Sequence, residues 1–406
     1  MATPLTPYDA VLHAARDVTR LDSALDAEML GAALLGSVYE IAETDRDTAV
    51  REFVAGFLAA TSRRRTAAAT TVRAVFAALV PEATGADRVR PGAAAPAWSG
   101  QLGKVHLTGS WAYGDVYGDQ TSYLATFAYD DASGGPEHAL VALVDHNIGI
   151  AKDVFVGGPA DRILEQVRQL CADDELTWFR EEDPARMRGE VGRHLAVTDR
   201  LGQLPGTSSL ATDRALVGAR LAVMPTETTP PPRLSDDPLP AAERAEQIRR
   251  FLAAPEAARA GLDTIDGAEL ASLHFCLGLL LDHVATFPDA EPLRWSPTVA
   301  GLFLLDWVHR RAVLDMDDAA MLPRVLRAWA GYAARKRGLP ASAAAGTDTA
   351  IEEMVPEFVR LYATGERRSP ATAAVAQLMA DGIDPDDPAA LDAWIDANRH
   401  RLADDG

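Results

Sequence analysis

The chain has 406 residues, 48% apolar and 24% charged, which excludes wholesale disorder and allows two or three domains, each with its own core. Fifty-nine acidic residues against thirty-nine basic ones give a formal net charge of −20, a field that repels phosphate backbones and disfavours nucleic acid as a partner. The two cysteines, Cys171 and Cys276, lie far apart in apolar helical patterns and belong to no CxxC or Cys/His cluster, so each reads as a small buried hydrophobe in a reducing compartment.

Met1 to Arg20 lacks a basic segment followed by an apolar one, so no signal peptide is expected. The longest apolar run in a helical pattern, Phe275 to Leu281, is about a third of a membrane span. A cytoplasmic location without a membrane partner is the expectation.

Residues 7 to 80 read as helices. Leu25, Met29, Leu30, Ala33 and Val38 recur at three- and four-residue spacing, as do Val50, Phe53, Val54, Phe57 and Leu58. Asp45 to Asp47 supply the break between the two helices. Ser62-Arg63-Arg64-Arg65 places cations at a helix end, where the macrodipole favours them. Residues 81 to 103, with Pro81, Gly85, Pro91-Gly92 and Pro96, form a loop.

From Lys104 to Gly158 the character changes to strands and turns, and Tyr113, Tyr117, Tyr123 and Tyr129 all fall here. Val105 to Trp111 alternates, with Val105, Leu107 and Trp111 expected on one face. Tyr123 to Tyr129 alternates as well, and Ile148 to Val156 forms a further strand. Ala139 to Val144 is apolar on both faces, as in a strand covered on both sides. The short links favour an antiparallel meander of about four strands flanked by helices.

A helix follows through Cys171, with Ile163, Val167 and Leu170 facing inward, and a further pair covers roughly 184 to 202 and 210 to 223. The helices of 1–80 are expected to pack with this sheet region, 104–224. The six prolines between Pro225 and Pro240 remove donors and fix φ, marking an extended linker over 225–240.

Residues 241 to 406 read as an all-α C-terminal domain. Ser296-Pro297 is a cap followed by proline at the first helical position, and Val299 to Val308 is apolar almost all round, as in a central helix. Another helix runs from about Ala319 to the C-terminal signal Arg335-Lys336-Arg337-Gly338, and the last helices cover 351 to 363, 370 to 380 and 388 to 401. The fold class expected is α+β.

Chemistry-bearing residues concentrate at the strand ends. Tyr113-Gly114-Asp115-Val116-Tyr117-Gly118-Asp119 sets two carboxylates among glycines, and Asp145-His146 adds a third carboxylate and an imidazole. Oxygen ligands of that kind suit a hard cation such as Mg²⁺. The same sequences are also what hairpin turns require, since Asp and Asn bond their own backbone and glycine supplies positive φ. No HExxH, GxSxG, GxGxxG or GxxxxGK[ST] occurs.

Asp145 to Asp153, and Trp295-Ser296-Pro297 with Leu305-Asp306-Trp307, resemble stretches of a family of uncharacterised proteins from high-GC bacteria. That family has no assigned activity, so the resemblance implies no mechanism and no site residue.

Two functional readings follow. The first is a cytoplasmic binding or assembly protein that acts on a protein partner or as a homo-oligomer and implies no particular cofactor. The second is a metal-dependent hydrolase of phosphoesters. There Asp115, Asp119 and Asp145 hold a divalent metal, His146 is the general base and Lys152 stabilises developing negative charge.

Overall fold

Alternating apolar and polar residues from Val105 onward build the sheet on which the first half of the chain is organised. The computed structural model describes residues 6–84, 95–205, 208–226, 239–287, 291–383 and 387–404. The chain divides into two compact units, Met1–Pro231 and Pro232–Gly406. Residues 227–238 of the expected proline-rich linker, and Gly85 and Pro91-Gly92 of the expected loop, lie outside the described residues.

Unit 1 opens with helices α1 (Pro7–Ala14), α2 (Ala24–Ile41), α3 (Arg46–Thr61) and α4 (Ala67–Leu79). Thr6, Ser23 and Thr66 start three of them by accepting the backbone N–H three residues on, which satisfies one of the donors every helix leaves open. Strands β1 (Val105–Asp115), β2 (Gln120–Tyr129), β3 (His138–Asp145) and β4 (Ile150–Gly157) then form the antiparallel meander. Helix α5 (Ala160–Ala172) leads to a fifth strand, β5 (Thr177–Glu181), which pairs antiparallel with the far half of β1. Helices α6 (Pro184–Thr198) and α7 (Ser208–Ala222) complete the unit, and the sheet order is β4-β3-β2-β1-β5. The α+β fold class is as expected; the sheet has one strand more.

One sequence-based expectation fails at a bulge. Leu107 faces Phe127 while Gly109 faces Thr126, so Thr108 is an extra residue in β1. An inserted residue exchanges the two faces of everything beyond it. Val105 and Leu107 pack with the helices, as does Ala112 beyond the bulge. Trp111 pairs with Leu124 on the opposite face, where the Arg168 guanidinium of α5 lies 5.8 Å from its ring centre. The indole folds back over Gly109, whose missing Cβ would lie 2.1 Å from it. On α5 itself, Leu170 is 62% exposed rather than inward, and Cys171 is only half-buried.

The helix-facing side of the sheet meets α2 and α7 through a buried polar network. Arg220 of α7 and Glu28 of α2 are each 1% exposed, and Arg220 Nη2 donates to Glu28 Oε2 at 2.6 Å. The Tyr129 hydroxyl donates to the same oxygen at 2.7 Å, and the Gly103 N–H to Oε1 at 2.7 Å. Arg220 Nε lies 2.9 Å from His138 Nε2. A guanidinium only donates, so Nε2 must accept; the ring proton therefore sits on Nδ1, which donates to the Pro136 carbonyl at 3.2 Å.

β4 is an edge strand. Its Val156 N–H donates to Asp213 of α7 at 2.9 Å, so a helix side chain takes one backbone position that another strand would use, and beside it the Ser209 hydroxyl donates to the Asp153 carboxylate at 2.5 Å.

Unit 2 consists of α8 (Ala241–Leu252), α9 (Pro255–Arg259), α10 (Gly267–Val284), α11 (Pro297–Leu302), α12 (Val308–Arg311), α13 (Met316–Arg337), α14 (Ala341–Thr364), α15 (Pro370–Ala380) and α16 (Pro388–Asp404). The apolar run Val299 to Val308 is not one regular helix: a π turn, Phe303–Trp307, joins α11 to α12. His283 of α10 is buried there against Phe287, Trp295, Phe303 and Trp307, with ring centres 5.1–5.9 Å apart. The Trp295 and Trp329 indoles both donate to the Pro292 carbonyl, at 3.1 and 3.2 Å. Among the described residues no helix is long and apolar enough to cross a membrane.

Each unit thus holds a buried histidine. Burial lowers both His138 and His283 from 6.5 to about 4. Below pH 6.5 the unfolded chain takes up protons that the folded chain refuses, so this stability is complete above pH 6.5 and is lost as pH falls towards 4. Each histidine weakens its unit by up to roughly 3 kcal/mol across that window. Urea midpoints measured from pH 7 to pH 4 are expected to fall, and His283→Phe should flatten the fall for unit 2 alone.

Candidate functional site

The five residues singled out in the sequence meet at one end of the sheet, where the β1–β2 and β3–β4 turns lie side by side. Asp115 closes the first turn: Oδ1 accepts the Asp119 N–H at 3.0 Å and Oδ2 the Gln120 N–H at 2.7 Å, while Gly118 takes the left-handed conformation (φ 81°). Asp145 closes the second turn, its Oδ1 accepting the Asn147 N–H at 3.0 Å and its carbonyl the Gly149 N–H at 2.9 Å. The turns are tied together by His146 N–H on the Asp119 carbonyl (2.9 Å) and by Gln120 Nε2 on Asp145 Oδ2 (3.2 Å).

Lys152 Nζ stands 3.5 Å from Asp145 Oδ2, with its side chain 43% exposed, and is the extra residue of a second bulge, in β4. His146 Nε2 lies 3.0 Å from the Thr121 hydroxyl, and its ring meets that of His194 from α6 edge-on at 5.7 Å. His194 Nδ1 is 2.7 Å from the Glu190 carbonyl, which makes that nitrogen the donor. Sequence reasoning thus placed Asp115, Asp119, Asp145, His146 and Lys152 together, and missed His194. Asp115 and Asp145 hold backbone donors of their own turns. Among the described residues no group of three or more His, Cys, Asp or Glu is placed to hold a metal ion.

A different feature of unit 1 has the shape of a ligand site. A cavity of about 300 Å³ lies between α2, α3, α6, α7 and the turn after α4, within the size range of small-molecule pockets. Leu35, Val50, Leu79, Leu195 and Leu221 supply apolar wall. Ala211, Ala215, Gly218, Ala219 and Ala222 on one face of α7 keep the space open by being small. Asp47, Arg51, Glu82, Arg188 and Arg214 bring charge to it.

Arg214 is fixed from behind. Its Nε and Nη2 bond the two oxygens of Asp199 at 3.0 and 2.6 Å, and the Tyr39 hydroxyl donates to the same carboxylate at 2.6 Å. Burial, reinforced by the neighbouring Asp199 charge, pushes the Tyr39 hydroxyl well above its ordinary value, so it remains a donor. Burial opposes the Arg214 charge, but its bonds to Asp199 more than offset this and hold the guanidinium protonated. No local signal marked these residues, because Tyr39 and Asp199 are 160 positions apart and the small residues of α7 read as ordinary helix packing.

The two groups of the turn cluster should respond differently to truncation. Asp115→Ala strands two backbone donors and is expected to cost about 2–3 kcal/mol by urea denaturation. Lys152→Ala removes a half-exposed ion pair and should cost under about 1 kcal/mol.

Comparison with protein families, with curated proteins and with solved structures gives no match to this chain.

Proposed function

We propose that this protein is a non-catalytic binding protein that holds a small ligand in the helix-walled cavity of unit 1. The observation that carries the proposal is the contrast between the two polar sites. At the sheet end, Asp115 and Asp145 are engaged by the turns that contain them. At the cavity, Arg214 and Tyr39 are pinned from behind by Asp199 and border a concave space walled by apolar and charged side chains. A pre-formed cavity that sets oriented polar groups beside apolar wall has the usual makings of a small-molecule site. Fixing the guanidinium in advance lowers the ordering cost of binding.

Thermal melting of the full chain, with a panel of small organic acids, alcohols and amines alongside Mg²⁺, Mn²⁺ and Zn²⁺, tests this. A ligand taken only by the folded state raises the melting temperature by mass action. Shifts are expected from members of the organic panel and not from the metals. Metal-dependent cleavage of bis(4-nitrophenyl) phosphate that disappears in Asp145→Asn would overturn the proposal.

A further inference from the structure

Building on the ligand-binding reading, we infer that the cavity takes a small organic monoanion: a carboxylate head on an apolar tail. Three arginines line it (Arg51, Arg188 and Arg214) against two carboxylates, Asp47 and Glu82. Arg214 is paired with Asp199 at 2.6 Å and stands 3.6 Å from Asp47, which also pairs with Arg51 at 3.2 Å. Arg188 is the lining arginine left with no carboxylate partner among the described residues, inside a chain whose net charge is −20. A single anionic head would neutralise that cation.

Arg188 and Arg214 are the donors best disposed to the head. Arg188 Nη1 is held by the carbonyls of Ala222 and Met224 at the end of α7, with no carboxylate partner among the described residues. Arg214 is bound to Asp199 through Nε and Nη2, and its Nη1 makes no hydrogen bond among the described residues. Nη1 stands over Gly218, where a Cβ would lie only 3.1 Å from it. The apolar wall demands a tail: an inorganic anion would leave Leu35, Val50, Leu79 and Leu195 without contacts, whereas a short alkyl or aryl chain would fill that space.

Gly192 supplies a clean block. It lies on α6 at the cavity, and a Cβ there would meet nothing within 4 Å. Leucine is a better helix former than glycine, so Gly192→Leu fills the cavity without threatening the fold.

The test is calorimetric titration of the full chain at pH 7 with octanoate, octan-1-ol and octylammonium, on the unaltered protein and on Gly192→Leu. Octanoate is expected to bind saturably at one per chain, at least tenfold more tightly than octan-1-ol, with no binding of octylammonium. Gly192→Leu should melt no lower than the unaltered protein and bind octanoate at least tenfold more weakly. Octan-1-ol or octylammonium binding as tightly as octanoate, and lost in Gly192→Leu, overturns the choice of anion while leaving the cavity as a ligand site. Octanoate binding unchanged in Gly192→Leu overturns the location. Absence of octanoate binding overturns the inference; if the wider melting panel is also silent, the ligand-binding reading falls with it.

Discussion

The buried Glu28–Arg220 pair is the constraint on which the rest of unit 1 depends. Removing two charges from water is expensive, and the attraction between them repays this only when every remaining donor and acceptor is satisfied. Here Gly103, Tyr129, His138 and Pro136 complete the set, so the network is satisfied only if α2, α7, β2, β3 and the segment before β1 all stand in their native places. Residues 192 positions apart become a positional lock. A lesser error of packing would leave a charge buried and alone, at a cost of about 3–5 kcal/mol.

A second ion-centred cluster repeats the device farther along the same two helices. Tyr39 of α2 and Arg214 of α7 converge on Asp199, just beyond the end of α6. The two clusters lie roughly three turns apart on α2 and under two turns apart on α7. Gly36 of α2 lets the two helices touch near the second cluster, since a Cβ there would come within 2.8 Å of the Ala211 carbonyl. Helices held at two points cannot slide together to fill the space beside the small residues of α7. The cavity therefore persists in a core that is otherwise close-packed.

The fold was largely legible in the sequence, because side-chain periodicity is a local property. The meander announced itself through alternation in Val105–Trp111 and Tyr123–Tyr129, and Ser296-Pro297 through cap chemistry that the structure reproduces, with Ser296 Oγ accepting the Val299 N–H. What escaped was whatever a window of ten residues does not contain. The Thr108 bulge depends on pairing with β2, and the five residues of β5 are a strand only because β1 offers them an edge. The turn residues were placed together correctly, yet their bonds to backbone could not be read from their order. The cavity was invisible for a stronger reason: one of its faces is alanines and glycines of α7 whose significance lies in the volume they leave empty.

One carboxylate on α7 has an effect beyond its own contact. By taking the Val156 N–H, Asp213 fills the hydrogen-bonding position to which a sixth strand, from this chain or another, would have to attach. The width of the sheet on the β4 side is thus capped by a side chain. A second strand meeting that margin at Val156 would find the N–H already taken and a carboxylate in its place.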